Sequence, residues 1–322
     1  GQANLLHIVM DWGGGVHQWV SDFIDSDERH NHFVLVSEGE FYRQRYGEKY
    51  SLYYGGYHGL LLAQFELTPS IDTVVISHQP YQTMLTEIIA DYGIGGLMVS
   101  SLIGHAMDCL STGLPTVRVL HDYFPHWPSL DARLDGKTIG HDALQQSLQS
   151  SEGTPFGDVD KHQVEVWQRV INEKISAQTV HVVAPDQSVV DNLRKLPHSE
   201  CYQKTVVIPH GVSTLSAINY QADKDPFTVL VLGRLIAGKG KQLLQQLIAQ
   251  HKLSDIHWLL LGSGDDGDDF SDFKNVQIIN DYQRSQLPRL LQEYSPQLAL
   301  MPAAVSETYS YVLSELFMLG IP

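Results

Sequence analysis

The chain has 322 residues, enough for more than one core, and its 43% apolar and 18% charged content is that of a folded globular protein. A formal net charge of −16 argues against a nucleic-acid partner, since tracking phosphates takes an excess of Lys and Arg. No run of about eighteen apolar residues indicates a membrane span, and Cys109, Cys201 and the 16 scattered histidines match no metal or redox spacing.

In chain order, short β-branched runs alternate with longer helical patterns. "LLHIVM" (5–10) reads as a strand that enters "DWGGG" and then an amphipathic stretch, "VHQWVSDFID". "HFVLVS", "TVVIS", "TVRVLH", "TVHVVA" and "TVVIPHG" are further runs of strand length. After the polar stretch "STLSAINYQADKDP" (213–226) a second cycle starts with "FTVLVLG", "KQLLQQLIAQHK", "IHWLLLG" and "NVQIIN". "SQLPRLLQEY", "LALMPA" and "TYSYVLSELFMLG" complete it. Such alternation predicts an α/β protein of two Rossmann-like, doubly wound parallel-sheet domains, residues 1–215 and 216–322. A helix followed by "GIP" normally feeds another strand, so the second sheet is expected to be incomplete at Pro322.

Candidate site residues follow the same order. Gly13, Gly14 and Gly15 lie between a strand and a helix without the GxGxxG spacing; they read as a loop that a ligand could approach or as a flexible turn. His121 and Asp122 follow a strand that reads as buried, where the imidazole could bond a sugar hydroxyl and Asp122 could orient it. Tyr123, Phe124, His126 and Trp127 form an aromatic group suited equally to stacking on sugars and to packing under a loop. The Pro-, Gly- and acid-rich stretch from Tyr123 to about Asp160 reads as a lid or acceptor loop, and Asp186 as a helix N-cap.

"FTVLVLGRLIAGKG" is the sharpest local pattern. A strand ends at Gly233, and Arg234 and Lys239 follow in the turn, with Gly238 and Gly240 beside the lysine. Two cations at the carboxyl edge of a sheet suit a diphosphate; a solvated basic turn is the alternative. "GDDGDDF" (264–270) lacks calcium-loop spacing and reads as a solvated turn. Glu307 and Glu315 are separated by seven residues. A helix starting near Thr308 would place them about two turns apart, offering the N–H groups of Thr308, Tyr309, Ser310 and Tyr311 to a diphosphate and Glu315 to a ribose. A capping acid and a solvated glutamate fit the same spacing.

Together "GRLIAGKG" and "SETYSYVLSE", some seventy residues apart, resemble glycosyltransferase family four, the large family of retaining GT-B enzymes. "PHGVS" (209–213) and "LLLGSGD" are similar to two further segments of that family, so the likeness runs over nearly the whole chain. The resemblance implies two domains facing across a cleft, an acceptor domain followed by a donor domain. It implies that Arg234 and Lys239 contact the donor diphosphate, Glu307 the transferred sugar and Glu315 the ribose, with His121 touching substrate and the Gly13–Gly15 loop facing the cleft. Asp122, Tyr123 and Trp127 become acceptor candidates. Thr308 and Ser310 stand where the family usually has glycines.

The expected activity is metal- and cofactor-independent transfer of a hexosyl group from a UDP-, GDP- or dTDP-sugar to a saccharide or lipid-linked acceptor in polysaccharide biosynthesis. A cytoplasmic place follows, with at most peripheral attachment at the inner face of the membrane. Sugar-nucleotide epimerisation on the same fold and a catalytically weak sugar-nucleotide-binding module are the alternatives.

Overall fold

A computed structural model describes residues 1–11, 14–40, 45–71, 75–127, 132, 134, 160–218, 225–251 and 255–322. The chain divides into two compact units. The first is Gly1–Gly211 with Ser306–Tyr309, and the second is Val212–Val305 with Ser310–Pro322.

The first unit is built on an eight-stranded sheet of order β4-β3-β2-β1-β5-β6-β7-β8. Its strands are β1 (Ala3–Met10), β2 (His30–Glu40), β3 (Arg45–Tyr54), β4 (Leu60–Glu66), β5 (Ile94–Val99), β6 (Thr116–Val119), β7 (Val180–Ala184) and β8 (Val206–Val207). Neighbours from β2 through β1 to β8 run parallel, whereas β3 and β4 add an antiparallel edge. That edge departs from the all-parallel expectation. Its sequence, "YSLYYGGYHGLLLAQFE", pairs locally through a glycine-rich turn and so needs no crossover helix. Of "TVVIS", residues 73 and 74 lie outside the described residues, and Val75 makes an isolated parallel bridge to Ala106.

Side-chain alternation explains the two covered faces. Leu6 and Ile8 of β1 and Phe33 and Leu35 of β2 enter the main core. Val9, Val34 and Val36 point the other way, into a smaller core with Val16 and Val20 of α1 (Gly14–Ser26). On the main face, α2 (Gln79–Asp91) starts at His78, whose ring accepts from Tyr81 N, and buries Tyr81, Met84, Leu85 and Ile88. Helix α3 (Lys161–Ile175) starts with an Asp160/Gln163 capping box and buries Val164, Trp167 and Ile171 at helical spacing. Asp186 caps α4 (Gln187–Leu193) by accepting from Ser188 N, as its place in the sequence predicts.

The second unit has a four-stranded parallel sheet, β11-β10-β9-β12, of β9 (Thr228–Leu232), β10 (His257–Leu261), β11 (Val276–Ile279) and β12 (Leu298–Ala299). Alternation again serves two cores. Leu230, Leu259 and Leu261 pack with Leu287, Leu290 and Leu291 of α6 (Leu287–Tyr294) and Leu316 of α7 (Tyr311–Met318). Val229, Val231, Trp258 and Leu260 pack with Leu244 and Ile248 of α5 (Lys241–Gln250). Strands buried on both faces read as continuous apolar runs, which is why this half is so plain in the sequence. Among the described residues, no helix is long and apolar enough to cross a membrane.

Candidate functional site

In a parallel sheet ligands gather at the carboxyl edge, where strand order reverses. In the second unit that point lies between β9 and β12. Gly233 closes β9 with φ +99°, and its N–H donates to Leu261 O at 2.8 Å. Arg234 follows, exposed, and a Cβ on Gly264 would lie 3.9 Å from its Nε. Lys239 is half-buried and closes a short 3-10 turn, Ala237–Lys239. The turn is fixed from within: Ala304 N donates to Gly238 O at 3.1 Å, and Leu235 N to Ser263 O at 3.3 Å.

Gly240 is required by this packing. It is left-handed at φ +83°, and a Cβ there would come within 2.0 Å of Pro302 O. The absent side chain makes room for backbone of the same unit. The acidic run is also more ordered than a solvated turn: Asp265–Phe270 is a 3-10 helix, and Asp266 and Asp269 each bind Lys241 Nζ at 2.6 Å. Asp268 accepts from Asn280 Nδ2 at 2.8 Å. No group of three or more His, Cys, Asp or Glu side chains among the described residues could hold a metal ion.

Glu315 lies on α7 and is 6% exposed. Its Oε1 accepts from Arg284 Nε at 2.6 Å, while Arg284 Nη2 donates to Ser213 O at 2.8 Å. Arg284, on a short 3-10 turn, has no motif around it, so sequence reasoning missed it. Burial, and then the Glu315 charge, push the Tyr282 phenol well above its ordinary range, and its ring fills the space that a Cβ on Gly262 would take.

The helix expected to open near Thr308 begins at Tyr311. Ser310 is its N-cap, in extended conformation, and its Oγ accepts from Leu313 N. Thr308 and Tyr309 are held elsewhere: Thr308 Oγ1 donates to His121 O at 2.7 Å and Tyr309 Oη to His210 O at 3.3 Å. Ser306 Oγ accepts from Leu134 N, and Ser306 N donates to Ala132 O. Ser306–Tyr309 thereby belongs to the first unit, so Glu307 and Glu315 are not two turns apart on one helix. Glu307 is half-buried. Burial chiefly raises the Tyr123 phenol, and the Glu307 charge pushes it in the same direction.

In the first unit His121 meets an aromatic group. Its ring centroid is 5.0 Å from Trp19 and 4.9 Å from His210, which in turn lies 4.9 Å from Tyr309. Burial, then the neighbouring His210 and Arg118, hold His121 well below its ordinary pKa; burial brings His210 down to about 4. Both are neutral near pH 7. The His121 Nε2 atom is buried and has no hydrogen-bond partner among the described residues. An uncharged imidazole with an open nitrogen can donate to or accept from a hydroxyl. His210 lies in "PHGVS", which the sequence marks as a segment without singling out the histidine.

Other candidates are placed differently. Asp122 does not orient His121: its Oδ1 accepts from Arg118 Nη2 and Phe124 N, both at 3.1 Å. Arg118 is 1% exposed and also binds the carbonyls of Val99, Val119 and Phe124, so Asp122 is its counter-ion. Trp127, 1% exposed, is core packing rather than an acceptor platform, and Tyr123, 4% exposed, accepts from Asn192 through its Oη. Gly14 and Gly15 open α1 on an exposed surface with no atom within 4 Å of a Cβ on Gly14, while Gly13 lies outside the described residues. Most of the stretch read as a lid does too.

No family model matches the chain, and no curated protein does. Among solved structures it is similar to a lipopolysaccharide outer core galactosyltransferase, WaaB, in its apo form, at 12% identity and a TM-score of 0.52, over 99% of this chain and 79% of that one. A glycosyltransferase from Rickettsia africae matches at 11% identity and TM-score 0.54, over 99% and 78% of the two chains. HepE of Anabaena, in complex with UDP and glucose, matches at 15% identity and TM-score 0.54, over 98% and 79%. The chain shares the GT-B fold of these glycosyltransferases.

Proposed function

We propose that the chain is a retaining glycosyltransferase akin to family four, moving a hexosyl group from a nucleoside-diphosphate sugar to a saccharide or lipid-linked acceptor. The observation that carries this reading is the exposed Arg234 with Lys239 in the turn after β9, where the second sheet's strand order reverses. The second unit is then the donor domain and the first the acceptor domain. Arg234 and Lys239 take the diphosphate, and Glu315, oriented by Arg284, takes the ribose hydroxyls. His121 and Glu307 attend the transferred sugar. HepE, whose structure contains UDP and glucose, has the same fold, which supports testing UDP-sugars before GDP- and dTDP-sugars.

In the reaction the bond from the anomeric carbon to the diphosphate oxygen breaks, and the electron pair leaves with the diphosphate. The two cations stabilise that charge as it develops, which needs no metal or further cofactor. The acceptor oxygen bonds to the anomeric carbon from the same face, and its proton passes to the departing phosphate oxygen. Held well below its ordinary pKa, His121 is a weak base, which suits a scheme where it positions a hydroxyl and the departing phosphate takes the proton. The product would feed polysaccharide biosynthesis on the cytoplasmic side, with any membrane attachment peripheral.

Incubation with UDP-, GDP- and dTDP-sugars and a glycan panel, followed by mass spectrometry, tests the reading. Transfer with retained anomeric configuration, lost about a hundredfold in His121→Ala, is the expected result. Inversion at C2 of free donor, or nucleotide binding without any turnover, would replace it with epimerisation or simple binding.

A further inference from the structure

The carboxyl edge of the first sheet gathers polar groups that the proposed donor chemistry does not use. Asp11 directly follows β1, and its N–H donates to Ser37 O at 3.1 Å, which sets it alongside Glu38 of β2. Alternation puts both carboxylates on the α1 face, because Val9 and Val36, two residues before each, pack there. The same face carries Tyr57, 4% exposed, from the turn between β3 and β4. The His17 ring, in the first turn of α1, lies 4.2 Å from Tyr57 and 5.7 Å from His58. Asp11 and His58 are exposed, and His17 and Glu38 half-buried, so the group opens to solvent above a buried phenol.

The phenol points to a ligand. Tyr57 Oη is buried and has no hydrogen-bond partner among the described residues, although a buried hydroxyl normally finds one. We propose that Asp11, Glu38, Tyr57, His17 and His58 form a saccharide subsite that binds the hydroxyls of a neutral acceptor sugar. Carboxylates accept strong hydrogen bonds from hydroxyl pairs, Tyr57 donates one, and the imidazoles complete the set. The charge balance selects the class. Among the described side chains, two carboxylates face one nearby cation, Lys49, the exposed cross-strand neighbour of Glu38, which disfavours an anionic sugar. Glu38 is already engaged, accepting through Oε1 from Ser51 Oγ, so its charge is partly satisfied before any ammonium arrives. Burial and then Glu38 raise the Asp11 carboxyl, with His58 and His17 opposing, consistent with charges that interact across one small site.

That the sugar is the acceptor rests on the transfer reading; that it binds does not. Saturation-transfer NMR on the whole chain, with methyl glycosides of neutral hexoses, of glucosamine and of glucuronic acid, tests the subsite, and calorimetric titration with UDP runs beside it. The neutral glycosides should bind, and Asp11→Asn and Tyr57→Phe, near-isosteric changes whose folding is checked by an unchanged melting temperature, should each weaken them at least tenfold while UDP affinity holds. Binding of no glycoside, binding of the charged ones alone, or equal binding by both variants would overturn the proposal. Glycoside binding without UDP binding would keep the subsite and remove the transfer reading; UDP binding without glycoside binding would do the reverse.

Discussion

The two units place their polar groups in opposite ways. In the first unit, His7, His32, His105, His126, His210 and Arg118 are all buried. In the second, the buried polar side chains among the described residues are Ser263, Ser295 and Glu315, and the cations Arg234, Lys239 and Lys241 stay at the rim. Solvation explains the division. An imidazole can enter a core by giving up its proton, whereas a guanidinium or ammonium keeps its charge and must be paired or left wet. The first unit therefore keeps neutral imidazoles in its core and carboxylates such as Asp11 and Glu38 nearer solvent, while the second keeps its cations at the rim, where a phosphate can meet them. Arg118 is the exception that follows the rule, because three carbonyls and Asp122 surround it.

The largest effect expected from this contrast is on acid stability. Burial brings His7 to about 3 and His105 and His126 to about 4, with His210 alike. Geometry agrees for His105, whose Nε2 meets the Val9 carbonyl while Nδ1 faces the Tyr81 hydroxyl, a set that suits one ring proton. These pKa values lie below the ordinary 6.5 of an unfolded chain. Between about 6.5 and 4 the unfolded state binds more protons, so stability is complete above that window and falls as pH drops through it. Each pKa unit is worth about 1.4 kcal/mol, so several such rings together outweigh any single substitution. Hydrogen exchange followed by mass spectrometry, at pH 7.5, 5 and 4, should lose protection in β1 and β2 before β9 and β10. Simultaneous loss, or loss in the second unit first, would break the contrast.

A second, smaller effect probes the rim of the second unit. Gly240→Ala forces a side chain into left-handed backbone and against Pro302 O, which should cost roughly 2–3 kcal/mol and lower the denaturation midpoint without any ligand. Were Gly240 there for a ligand, the ligand-free protein would be unaffected and only nucleotide affinity would fall.

How far the sequence reaches differs between the units for the same reason. "FTVLVLG" and "IHWLLLG" are legible because both faces are buried, and Gly233, Arg234 and Lys239 stand at a strand end that such runs mark. The edge strands β3 and β4 are less legible, since Tyr, Gly and polar residues mix where one side is less covered. The two-glutamate spacing suggests a single helix, yet Thr308 and Tyr309 bond to the carbonyls of His121 and His210, more than ninety positions away. Local propensity carries no trace of such partners. Arg284 and His210 were missed on the same ground, as their roles come from Glu315, Ser213 and His121, which only the fold brings near.

Arg284 also allows the buried charge of the second unit to be tested. Arg284→Met leaves Glu315 buried without its cation, which should cost about 2–3 kcal/mol in urea denaturation at pH 7.5. The loss should shrink in Arg284→Met with Glu315→Gln, because the uncompensated carboxylate is then gone. An unchanged single variant would mean that the pair is solvated and that the second unit holds no buried charge.

The smallest effect distinguishes binding from folding at the rim. Arg234 is exposed and has no ion-pair partner among the described residues, so its removal should leave the melting temperature within about a degree of the parent. If it meets a diphosphate, however, Arg234→Ala loses a charge-assisted hydrogen bond worth about 1.5–3 kcal/mol, that is, roughly a ten- to hundredfold loss of UDP affinity by calorimetry. Uridine, which has no phosphate, should bind parent and variant alike. The salt dependence separates this from a general field effect: a contact pair weakens UDP binding less steeply with added salt than long-range attraction does. Equal affinity of Arg234→Ala for UDP would leave the rim cations as a solvated turn, and the proposed assignment of phosphate binding to the second unit would fall.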